Sequence, residues 1–215
     1  AGNTVRYLQR GNLEVASSNL QTINELVDHM GRITRSLRAF ARRSGDSGQA
    51  SLNKAVDDTL FLLHSRLEQT PVELQRDFVE VTLGIDQTRL EQILVNLIVN
   101  ALDAMASQDK RKLALHGRMV GDNYELTVTD NGPGIPKHQR ERLFEPFYTT
   151  KPEEQGLGLG LTLSASLAAA AGGSLAAQHP AEGGTAFVLS LPLVHPPAPA
   201  ALSPEPASPT GVAND

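Results

Sequence analysis

Asn96, Asn100 and Asp103 fall at i, i+4 and i+7 in LEQILVNLIVNALDAM, residues 90–105, and so share one face of a predicted helix. Ile93, Leu94, Leu97, Ile98, Leu102 and Met105 supply its apolar remainder. Asparagine is a mediocre helix former, and a buried amide without hydrogen bonds is costly. Two of them in such a helix therefore need partners. Either they brace neighbouring loops, or their carbonyl oxygens face a hard cation such as Mg2+, which takes oxygen ligands and shares them with phosphate.

A second candidate is Asp130, which opens DNGPGIP after the strand-like run YELTVTD. Leu126 and Val128 alternate with Thr127 and Thr129, the period of a half-buried strand, so Asp130 arrives at a sheet end. Gly132 and Gly134 leave bare backbone there, and Ile135 adds an apolar surface. A carboxylate so placed suits the amino edge of a base; the plainer alternative is a tight turn capped by the Asp side chain. Two further stretches follow. RLFEPFYTTK, residues 142–151, concentrates aromatic residues and ends in Lys151; it reads as a loop anchor with a surface lysine or as part of a site. QGLGLGL, residues 155–161, runs into a predicted helix, and Gly156, Gly158 and Gly160 would expose N–H groups near its N-terminus, where anions bind. Taken alone, that glycine pattern is weak.

These residues need elements to hold them. Helical periodicity predicts helices over 1–10, 13–43, 52–69, 86–107 and 157–171; alternation predicts strands over 72–79, 113–120, 124–130, 174–179 and 185–191. Ile23, Leu26, Met30, Ile33, Leu37 and Phe40 step by 3 and 4, the seam of a coiled coil or helical bundle, with a lone amphipathic helix packed on a globular core as the plainer alternative. Residues 44–51, SGDSGQAS, read as a linker, 52–193 as one globular unit, and the Pro/Ala/Ser-rich 194–215 as a disordered tail. Helices covering one face of a mostly antiparallel sheet make the unit α+β.

Composition narrows the function classes. Of 215 residues, 40% are hydrophobic, enough for a real core. A net charge of −5 carries no nucleic-acid footprint. The lack of cysteine excludes disulfides and thiolate metal sites. No apolar run reaches membrane-spanning length. The chain opens at Ala1 inside a helical pattern and is read as a fragment of something longer.

Taken in order, NxxxNAxDA, DxGxG, FxPF and GxGxG resemble the N, G1, F and G2 boxes of the GHKL ATP-binding superfamily. They are most similar to the catalytic domain of bacterial sensor histidine kinases, of the nitrogen-regulation and C4-dicarboxylate types. The resemblance implies a Bergerat-type α/β sandwich, a mixed sheet covered by three helices, preceded by part of a dimerising and phosphotransfer helical hairpin in residues 1–43. It implies ATP and Mg2+ as ligands. Asp130 would bind the adenine amino group, Gly132 and Gly134 would admit the base, and Ile135 would pack on the ring. Asn100 would bind Mg2+ with Asn96 assisting, and Asp103, one turn further along the same helix face, would touch the nucleotide. Gly156, Leu157, Gly158 and Gly160 would cradle phosphates, Lys151 would reach the terminal one, and Thr185 would support the adenine pocket. Residues 135–156 would form a mobile lid.

The hydrolysing members of that superfamily place a Glu general base four residues before the Mg2+ asparagine. Here that position is Asn96, and an amide takes no proton, which favours phosphoryl transfer to a side chain over hydrolysis. The family's acceptor is a His followed by Glu or Asp, with a Pro a few residues on. None of the six histidines fits: His29 precedes Met30, His64 precedes Ser65, and His116, His138, His179 and His195 fall in strand, lid, strand end or tail. The expectation is a piece that binds ATP·Mg2+ without autophosphorylating. Its implied partners are a response-regulator receiver domain and a second copy of the parent chain, itself a membrane-anchored sensor with this part in the cytoplasm. A nucleotide-sensing interaction module and a GHKL protein-serine kinase are the alternatives.

Overall fold

The computed structural model describes residues 48–69, 71–150, 158–181 and 183–194, together with Leu13, Val15, Ser17 and Leu20, which are helical and exposed. Most of the seam helix, residues 151–157 and everything after Val194 lie outside the described residues, so the expected hairpin and tail are not addressed below.

Five strands form the main sheet, in the order β2 (Glu73–Asp77), β4 (Lys112–Val120), β5 (Asn123–Asp130), β7 (Thr185–Pro192), β6 (Ser174–Gln178). β2 runs parallel to β4 and every other pair is antiparallel, so the sheet is mixed. β4 and β5 meet at a two-residue turn in which Val120 faces Asn123. Its first residue, Gly121, has φ 60°, the conformation that a type II′ hairpin demands at that position.

Three helices, α1 (Leu52–Leu62), α3 (Gln87–Ala104) and α5 (Gly160–Ala170), cover the sheet; α3 packs between the other two and on β5. Ser51 starts α1, its Oγ accepting from the Lys54 N–H at 3.2 Å, and Asp86 starts α3 by accepting from the Arg89 N–H. Leu90, Ile93, Leu94, Leu97, Ile98 and Met105 of the α3 region are fully buried, beside Leu113, Leu115, Leu126 and Leu189 of the sheet. That face anchors α3, and it leaves Asn96, Asn100 and Asp103 half-buried on the adjoining one.

Three readings of the sequence are revised. The helix predicted over 52–69 breaks at Leu63 (φ −93°, ψ 4°) and resumes as α2, His64–Gln69. Leu60, Leu63 and Leu67 all stay against the core across the break, so the apolar period runs on and conceals it. Ala50 and Ser51, read as linker, form β1 against β3 (Thr82–Leu83), and Ala50 is buried. Within residues 135–156, expected as a lid without a helix of its own, residues 137–140 form one short helix, α4.

Candidate functional site

β5 alternates cleanly: Tyr124, Leu126, Val128 and Asp130 are buried, and the residues between them are not. Asp130 therefore inherits core-facing parity at the strand end and is 4% exposed. Its Oδ1 accepts from the Gly132 N–H at 2.8 Å, and the Thr185 N–H of β7 donates to the same carboxylate. Burial pushes the Asp130 carboxyl above its ordinary range, and the two N–H bonds offset part of that rise. Thr185 itself is buried opposite Asp130 in the β5–β7 register.

Backbone crowds this end of the sheet. A β-carbon on Gly132 would sit 2.9 Å from both the Ala104 carbonyl oxygen and Asp130 Oδ1. One on Gly134 would meet the Gly184 carbonyl oxygen at 2.9 Å, and one on Gly184 would overlap the Asp130 carbonyl oxygen. The turn after β5 is thus wedged between the C-terminus of α3 and the turn before β7. Ile135 lies half-buried against the core, its carbonyl accepting from Arg140 Nε at 2.9 Å.

The other end of the α3 face meets α5. Asn96 Nδ2 donates to Ser164 Oγ at 2.9 Å, and Asn96 Oδ1 fills the place of a β-carbon on Gly160. Asn96 therefore does brace a neighbouring element, with its carbonyl oxygen held against the first residue of α5. Ser164 is 2% exposed and was not singled out in the sequence; a serine inside LTLSASLAAA was its only signal. Ser164→Ala would leave the Asn96 amide without this acceptor and is expected to cost about 1–2 kcal/mol in urea denaturation.

The approach to α5 is equally close. Gly158 (φ 67°) leaves no room for a side chain against the Phe147–Tyr148 backbone, and its carbonyl accepts from the Phe147 N–H at 3.0 Å. Phe147 also has positive φ, 65°, a strained conformation for an aromatic residue. Thr162 Oγ1 ties Phe144 to α5 through its carbonyl at 3.0 Å. Lys151, Gly156 and Leu157 lie outside the described residues.

The face of α3 thus joins two clusters. Asp130, Gly132, Gly134, Ile135 and Thr185 gather at its Ala104 end, and Gly158 and Gly160 lie with Asn96 at the other. Asn96 and Ala104 are eight positions apart, roughly 12 Å along the helix axis at 1.5 Å per residue. Asn100 lies between them. Near the Ala104 end, Asp103 is ion-paired with Arg66 of α2, another residue that the sequence did not single out. Among the described residues no group of three or more His, Asp or Glu side chains gathers to hold a metal.

The profile of the family described as histidine kinase-, DNA gyrase B-, and HSP90-like ATPase matches residues 85–195. The C4-dicarboxylate transport sensor protein DctB of Rhizobium meliloti is 36% identical over 196 residues, which cover 89% of this chain and 31% of that protein. The protein of the same name from Pseudomonas aeruginosa is 37% identical over 195 residues, covering 89% and 32%. The chain spans about a third of the length of these relatives. Among solved structures, the mycobacterial sensor histidine kinase MprB superposes with a TM-score of 0.59 at 25% identity, covering 67% of this chain and 97% of that one.

Proposed function

The chain belongs to the histidine kinase-, DNA gyrase B- and HSP90-like ATPase family, and on that premise we propose that it is the ATP-binding catalytic part of a sensor histidine kinase. The observation that carries the reading is the buried Asp130 carboxylate at the end of β5, in a wall of bare backbone, one helix face away from Asn96 and Asn100.

The residues fit an adenine nucleotide. A carboxylate has about four lone-pair sites, and two N–H groups draw on Asp130, which leaves capacity for the amino group of a base. Gly132 and Gly134 let the turn close on Ala104 and Gly184, so that backbone forms the wall beside Asp130, and Ile135 offers an apolar surface. The donor set also fits Mg2+. Hard cations accept amide oxygens and complete their shell with phosphate and water, so a carboxylate cluster is not required. Asn100 would supply such an oxygen, and Asn96, with its amide donating to Ser164 and its carbonyl oxygen held against Gly160, would assist by fixing the start of α5 beside the phosphates. Lys151 with Gly156, Leu157, Gly158 and Gly160 would enclose the phosphates.

Bound ATP supplies the phosphoryl group for transfer. The chain's own contribution is to orient it and to shield it from water. Asn96 gives no base to activate water, since an amide takes no proton. The acceptor is a histidine of the parent protein's helical hairpin, and the phosphoryl group passes on to a response-regulator receiver domain. The parent works as a homodimer anchored in the membrane, with this part on the cytoplasmic side.

The direct test is calorimetric titration of ATP, with and without Mg2+, into the wild-type chain and Asp130→Asn. Mg2+-dependent binding that disappears in the variant supports the site; equal binding by both defeats it. Hydrolysis is expected to stay at background, because general-base catalysis normally contributes about 10²–10⁴-fold. A phosphate-release assay on the chain alone checks this.

A further inference from the structure

We propose that Arg66 is a positioning residue that cancels the charge of Asp103 so that the phosphorylated part of a nucleotide can lie along α3. The inference rests on the nucleotide reading above and assigns a role to a residue that no part of that reading uses.

The observation is the ion pair between Arg66 Nη2 and Asp103 Oδ1, which joins α2 to the α3 face that carries Asn96 and Asn100. Asp103 follows Asn100 by one helical turn and immediately precedes Ala104, against which the turn after Asp130 is wedged. Along the helix axis it stands about 4.5 Å from Asn100. A nucleotide with its base at Asp130 and its phosphates toward Asn100 and Asn96 therefore passes Asp103 at the level of its sugar and first phosphates. An uncompensated carboxylate there would repel each phosphate that enters.

The placement of Arg66 answers that charge. The break at Leu63 turns the chain before α2, and Leu67 packs on the core beside Arg66, which fixes the side from which the guanidinium reaches Asp103. The side chains are 43% and 26% exposed, so water screens the pair and its effect is moderate. A surface ion pair of this kind adds little to folding. Its value lies in the local potential where an anion docks.

The test compares adenosine, which carries base and sugar without phosphate, with ADP and ATP in the presence of Mg2+, by calorimetry. Arg66→Ala is expected to weaken ADP and ATP about tenfold, equivalent to about 1.4 kcal/mol, and to leave adenosine unchanged. Arg66→Lys keeps the charge and most of the affinity. Adding Asp103→Asn to Arg66→Ala removes the carboxylate charge that Arg66 faces and recovers the loss. Raising the salt concentration shrinks the penalty.

ADP and ATP binding unchanged by Arg66→Ala overturns the proposal, as does a loss shared equally by adenosine. A double variant as weak as the single one overturns it too, because Arg66 would then act on phosphate directly. Wild-type protein that binds none of the three overturns the nucleotide site itself, and this role with it.

Discussion

Asp130→Asn is expected to lower ATP affinity about a hundredfold. An amide has a single acceptor oxygen, whereas the carboxylate serves the Gly132 and Thr185 N–H groups and would serve an amino group of the base as well. Whichever way the amide turns, a donor faces a donor in a buried site, a mismatch worth about 3 kcal/mol. Calorimetry reads the affinity, and circular dichroism shows that the variant remains folded. Binding within threefold of wild type would sink the assignment.

The same variant carries a pH signature. Burial holds the Asp130 carboxyl above its ordinary range, so the folded state keeps its proton to a higher pH than the unfolded chain does. The protein gives up stability as pH rises from the ordinary carboxylate value through the folded one. Asparagine has nothing to ionise. The melting temperature of the wild type relative to Asp130→Asn should therefore fall across that window and level off above it.

Gly184→Ala is expected to destabilise the fold by about 3 kcal/mol or more. Gly184 has φ 80°, unfavourable for alanine, and its β-carbon would overlap the Asp130 carbonyl oxygen. At a urea slope of about 2 kcal/mol per M, the midpoint should drop by about 1.5 M. The neighbouring Gly183 separates backbone strain from overlap: its φ is 96°, but a β-carbon there meets nothing within 4 Å. Gly183→Ala should cost only about 1 kcal/mol. Equal losses at the two positions would contradict the wedged packing.

The sequence carried the site best where one element sets the spacing. Asn96, Asn100 and Asp103 needed only the helical period, and Asp130 only the strand alternation that ends in it. Legibility failed where a contact spans the chain. Arg66 and Asp103 are 37 residues apart, Asn96 and Ser164 are 68 apart, and no local pattern announces either pair. The break at Leu63 was hidden for the opposite reason, because apolar spacing continues through it. β1 and β3, of two residues each, are too short for alternation to register. Gly160 read as an open N–H donor near a helix start; its proximity to Asn96 depends on how α5 docks against α3 and is a tertiary fact.

That small second sheet also governs how the unit can be cut and rejoined. Leu83 pairs with Ala50 and bridges to Leu193, and the Val194 N–H donates to the Thr82 carbonyl. With strands about 4.8 Å apart, Ala50 and Leu193 lie on opposite flanks of β3, about 10 Å from one another. A linker of a few residues spans that gap. A circular permutant that joins these two points and opens the chain at the exposed Gly121-Asp122 turn should fold, because every strand pairing survives the rewiring. Seen as a graph, the unit is a loop of chain clasped by one two-residue strand. Whatever is attached before Ala50 or after Val194 tugs on that same clasp.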